Sequence, residues 1–116
     1  MERRRRVPRQ RVGWWGACTF DDDPSSGWAE CQVIDLSLLG AGVEVIDARP
    51  KDPIGRPLTV AVHPPTSASV SLRLSGTITN ATRGARGGVR LGMAFSNLSP
   101  MERSILDALE LMQVAW

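Results

Sequence analysis

Residues 69–95 read SVSLRLSGTITNATRGARGGVRLGMAF. Val70, Leu72 and Leu74 alternate with polar residues at a period of two, the mark of a strand with one face on a core. TRGARGG at 82–88 is a glycine-rich turn, and residues 89–95 return as a second strand. Working back from this pair, Pro64-Pro65 ends a strand at about 58–63, and DARPKDPIGRP before it is loop by its Pro, Gly and Asp content. WAECQVIDL at 28–36 and GAGVEVI at 40–46 form two strands joined by a short turn. VGWWGACTF at 12–20 is rich in strand formers and stops at DDDPSSG. Six short strands with turn signals between them predict an antiparallel barrel or sandwich.

Forward of the pair the period changes. Ser99-Pro100-Met101-Glu102 has the capping-box form, with Pro at the first helical position, and Ile105, Leu109 and Met112 then recur at helical spacing. This predicts an amphipathic helix over 99–114. Its apolar stripe is expected to cover an open end or face of the sheet structure, the alternative being a partner helix or second subunit.

At 116 residues the chain is expected to be a single domain over 1–116, able to fold without disulfide or metal. The parts are a flexible arginine-rich arm at 1–11, the strands at 12–96 and the helix at 99–114. With 42% hydrophobic residues and no apolar run of about 18, a globular protein without a membrane span is expected. MERRRRVPRQR is followed by no apolar segment of the kind a secretory leader carries, so a cytoplasmic location is expected. Cys18 and Cys31 are spaced too far apart for a CxxC motif and read as buried free thiols. Trp14 and Trp15 are adjacent on a strand, so one ring should face in and the other out.

Charge is unevenly placed. Residues 1–11 carry six Arg and one Glu, a net +5, which leaves −3 on the remainder of a chain whose total is +2. An anionic partner would meet the arm. Nucleic acid is disfavoured as that partner because no basic face continues the footprint. Asp21-Asp22-Asp23 lacks the spacing of a calcium loop and reads as a charged turn, so no metal is expected. GARGGVRLG lacks GK[ST] and sits between strands, so it reads as a hairpin turn. Arg83, Arg86 or Arg90 approaching a phosphate is the weaker reading of that segment. His63 has no visible acid or base partner, which argues against an enzyme.

Two short motifs remain. RRVPR at Arg5-Arg6-Val7-Pro8-Arg9 matches RxxxR, and DLSLLG at Asp35–Gly40 matches [D/N]xSxxG. In this order, one before the first strand and the other between the second and third, with VRLGMAFSNLSPMERSIL closing the chain, they resemble the PilZ domain family. The resemblance implies a mainly all-β fold, a six-stranded antiparallel β-barrel with a C-terminal α-helix. It also implies a bacterial, non-catalytic receptor for the second messenger cyclic di-GMP, with no cofactor.

The chemistry suits such a ligand. A guanidinium fork can bond guanine O6 and N7, pair with a phosphate or stack on a purine. On this reading Arg5 and Arg9 clamp the ligand, assisted by Arg4 or Arg6. Asp35 accepts from guanine N1–H and N2–H₂, Ser37 adds a hydroxyl bond, and Gly40 leaves room for close backbone approach. The plainer alternatives are a solvated basic arm and an ordinary Asx or Ser turn. Arg4, beside the RxxxR match, implies a stacked pair of messengers per chain. Ordering of the arm would then signal to a downstream protein that the sequence does not identify. The competing function is a PilZ-like protein–protein adaptor that binds no nucleotide.

Overall fold

The protein was analysed as a computed structural model that describes residues 10–23, 25, 27–46, 51–62, 72–84, 88–96 and 98–114. Its elements are β1 (Gln10–Phe20), β2 (Ala29–Leu36), β3 (Gly40–Val45), β4 (Pro57–Val62), β5 (Leu72–Arg83), β6 (Val89–Phe95) and α1 (Pro100–Val114). All ladders are antiparallel. The strand order is β1-β2-β3-β6-β5-β4, and β1 pairs again with β4, so the sheet closes into a barrel and the sandwich alternative falls away.

The interior is filled by alternate residues. Val33, Val43, Val60, Leu72, Leu74 and Leu91 are all fully buried, as period-two strands on a closed sheet require. Trp14 points into this core while Trp15 stays about half exposed, as adjacent strand positions must. Cys18 and Cys31 are buried free thiols. Their hydrogen bond, followed by desolvation, pushes the Cys31 thiol well above its ordinary range.

Strand bounds differ from the sequence reading in two informative places. β1 begins at Gln10, with Gln10 opposite Leu36 and Arg11 opposite Asp35, so the ladder takes up two residues of the segment expected to be arm. β5 continues through Thr82 and Arg83, which pair with Arg90 and Val89. The turn thereby shrinks to Gly84–Gly88, closed by the Gly84 N–H donating to the Gly88 carbonyl at 3.0 Å. Thr residues at 77, 79 and 82 are good strand formers, and this outweighs the loop character of the glycines.

The helix starts where its capping box predicts. The Glu102 N–H donates to Ser99 Oγ at 3.1 Å, and the Ser99 N–H donates to Glu102 Oε1 at 3.2 Å. Leu106 enters the barrel core with Ile105 packed beside it, so the first turns of α1 bury against this same chain. The side chains of Leu109 and Met112 lie outside the described residues. Among the described residues no helix is long and apolar enough to cross a membrane.

Candidate ligand-binding site

Period-two reasoning would send Asp35 into the core, in phase with Cys31 and Val33. The structure avoids this with a bulge. β2 shifts register between Val33 and Asp35 against β3, so one extra residue reverses the phase. Leu36 takes the buried position and Asp35 moves to the outer wall, where its side chain keeps 17% of its surface exposed. β5 does the same between Ile78 and Asn80: Ile78 is buried, Ala81 packs on the core, and Asn80 lies outside. A buried unpaired carboxylate would cost several kcal/mol, about enough to force such a reversal.

These shifts align one row across the wall. Arg11 stands opposite Asp35, Asp35 opposite Gly42, Gly42 opposite Gly92, and Gly92 opposite Asn80. The backbones of Asp35 and Asn80 are three strand spacings apart, about 14 Å, and the two glycines between them leave room for the Asp35 carboxylate to lie over Gly42 and the Asn80 amide over Gly92. Arg90 and Thr82 belong to the next row and complete the cleft, which has a volume of about 220 Å³. Asp35 is fixed from below, since the Gly42 N–H donates to its Oδ1 at 3.0 Å. Its Oδ2 lies 3.6 Å from Arg90 Nη2. Glu44, the cross-strand partner of Arg90, is also buried. Among the described residues, Asp35 and Glu44 thus stand on either side of Arg90 on this wall.

The model of the PilZ domain family matches residues 3–110. The chain belongs to the PilZ domain family. Among solved structures, the PilZ domain of YcgR from Escherichia coli with c-di-GMP superposes with a TM-score of 0.73 at 19% identity, covering 97% of this chain and 95% of that one. The MrkH–c-di-GMP complex of K. pneumonia gives 0.75 at 11% identity, covering 98% and 54%. The Bacillus subtilis inhibitor of motility (MotI/DgrA) gives 0.76 at 10%, covering 98% and 52%. This PilZ chain thus spans about half the length of the latter two proteins. No curated protein sequence matches it significantly.

Of the residues singled out in the sequence, Asp35, Ser37 and Gly40 are described, while Arg4, Arg5, Arg6 and Arg9 lie outside the described residues. Ser37 serves its own turn. Its Oγ accepts from the N–H groups of Leu39 at 3.1 Å and Gly40 at 3.2 Å and donates to the Gly40 carbonyl at 3.3 Å, which uses its whole bonding capacity. Gly40 is needed for a strand contact, because a Cβ there would run into the backbone carbonyl of Met93 on β6. Asp35 alone of the three opens onto the cleft.

Sequence reasoning passed over Gly42, Asn80, Thr82 and Gly92, and gave Arg90 only a minor place. Asn80 carried a usable signal: it is a polar, strand-disfavouring residue in the inward phase of Leu72, Leu74 and Ile78, which marks a bulge. Among the described residues no group of His, Cys, Asp or Glu is arranged to hold a metal ion.

Proposed function

We propose that this PilZ domain is a receptor for cyclic di-GMP, bound on the outer wall of the barrel between Asp35 and the arginine segment. The observation that carries the reading is the pairing of Arg11 with Asp35 at the start of β1. It brings the chain into the barrel directly beside the outward carboxylate. Arg9 precedes Arg11 by two residues, at most about 7 Å of backbone, and Arg5 by six, at most about 22 Å. Both fall within reach of the cleft mouth. The presence of c-di-GMP in the YcgR and MrkH structures supports the same ligand.

Charge completes the argument. Among the described residues that line the cleft, Arg90 is the one cation and Asp35 the one anion, while a ligand with two phosphates calls for more positive charge. The +5 segment at residues 1–11 supplies it. In this scheme Arg5 and Arg9 clamp the ligand, with Arg4 or Arg6 assisting, and Asp35 accepts from a guanine edge. Ser37 and Gly40 act by shaping the turn that carries Asp35. Ligand binding ties the arginine segment to the wall, and a downstream protein reads that change.

Titration calorimetry with cyclic di-GMP, GMP and a short DNA duplex tests the reading. Binding of cyclic di-GMP at micromolar or better affinity, with GMP silent at the same concentration, is expected. Flat heats on folded, nucleotide-free protein overturn it and favour the adaptor function, and heat with DNA alone would make the segment a nucleic-acid arm. At saturation two messengers per chain are expected, with Arg4→Leu moving the ratio toward one, because a second guanidinium offsets the repulsion within a stacked pair.

A further inference from the structure

We infer that Arg90 reads the base: Asp35 and Arg90 together form a composite hydrogen-bonding edge that accepts guanine and rejects adenine. The inference rests on the cyclic dinucleotide reading above and adds a specificity-determining residue from the barrel itself.

The two groups stand side by side and open on one cleft. Asp35 is anchored through Oδ1 by the Gly42 N–H at 3.0 Å, which fixes the plane from which the carboxylate can accept further bonds. Arg90 Nη2 lies 3.6 Å from Oδ2, a charge contact longer than a hydrogen bond, and 40% of the Arg90 side chain is exposed. The guanidinium is therefore held next to the carboxylate without its fork being bonded to it. Gly42 and Gly92 carry no side chain of their own, so the Asp35 carboxylate lies over the first and the Asn80 amide over the second, which brings both polar ends into the cleft beside Arg90.

The order of bonding groups along this edge is acceptor, acceptor, donor, donor. Guanine presents the complement along its own edge: the N2–H₂ and N1–H donors, then the O6 and N7 acceptors. Carboxylate and fork can thus engage one base in one plane. Adenine in the same position would turn its N1 lone pair on the carboxylate and its 6-amino hydrogens on the guanidinium. Both contacts would be repulsive, so the pair selects by penalty as well as by attraction. Lysine at position 90 would preserve the charge beside Asp35 but lacks the two-pronged geometry.

That difference makes the proposal testable on the full chain. Calorimetry would compare the wild type, Arg90→Lys and Arg90→Ala with cyclic di-GMP and with cyclic di-IMP, whose hypoxanthine bases keep O6 and N7 but lack the 2-amino group. Melting curves would check that the variants fold. Both variants should lose at least about tenfold in affinity, the loss expected for one bidentate base contact. The loss should be the same for the two ligands, because Arg90 addresses only the atoms they share. Wild-type affinity in Arg90→Lys would overturn the inference and leave a plain charge at this position. A clearly smaller loss with cyclic di-IMP would also overturn it, since that pattern belongs to a residue that merely positions Asp35. If the wild type binds neither ligand, the receptor reading fails and this inference with it. If the wild type binds and the Arg90 variants match it, this inference alone fails.

Discussion

Replacing Gly42 by alanine separates the site from the fold. An added Cβ would lie 3.0 Å from Asp35 Oδ1, 3.1 Å from Oδ2 and 3.3 Å from Cγ, closer than ordinary van der Waals contact. The obstacle is the end of a side chain, so the carboxylate can retreat while the strands stay in place. Retreat strains the Gly42 N–H bond to Oδ1, and a hydrogen bond to a charged group is worth about 1.5–3 kcal/mol. Loss of glycine's unfolded-state freedom returns about 0.4–1 kcal/mol. The net destabilisation should be about 1 kcal/mol, a shift of a few degrees in Tm. Ligand binding should suffer more, because an Asp35 turned away from the base edge forfeits about 1–3 kcal/mol of contact, a tenfold loss or greater. Gly40→Ala is the control: its Cβ meets the Met93 carbonyl, which is backbone and cannot yield, so folding itself should fail. Urea unfolding and calorimetry on both variants decide the matter. A Gly42→Ala protein that binds cyclic di-GMP like the wild type, or that unfolds like Gly40→Ala, would refute the reasoning.

Arg5→Ala and Arg9→Ala should each weaken cyclic di-GMP binding by at least about 2 kcal/mol in calorimetry while leaving the melting temperature unchanged, since each removes a charge-assisted fork. Leu106→Ala should destabilise the domain by about 2–5 kcal/mol in urea unfolding, because its side chain is 4% exposed and belongs to the barrel core. Cys18 and Cys31 should resist an alkylating reagent at about pH 8 and react after denaturation, as counted by mass spectrometry. Both are buried, and the Cys18 hydrogen bond and desolvation hold Cys31 in the neutral thiol form.

The strands and the helix were legible because each carries its own period. Leu72 and Leu74 alternate, and Ser99 and Glu102 announce a helix start, whatever the rest of the chain does. Barrel closure was not legible, because the β1–β4 ladder joins residues such as Gly16 and Val62 that share no local pattern. The same limit governs the site. Asp35 could be picked out by its motif, yet its partner Arg90 is reached only by way of the β2–β3 hairpin and then the nonlocal ladder of β3 on β6. What the sequence did carry, and alternation alone hides, is polarity out of phase: Asp35 after Cys31 and Val33, and Asn80 after Leu74 and Ile78. A carboxylate or an amide cannot be buried unpaired among those residues, so each strand must slip by one position at that point. β2 and β5 slip there, and β1 slips against β2 between Arg11 and Trp14, while β3 and β6 run in register past Gly42 and Gly92. The cleft floor is therefore regular sheet, and both polar walls are products of the bulges. Deleting the bulged residue Ile34 should consequently leave a regular β2–β3 ladder in which Val33 and Leu36 still face in and Asp35 still faces out, so the domain should keep a cooperative urea transition, and a variant that does not fold would refute this account of the bulge.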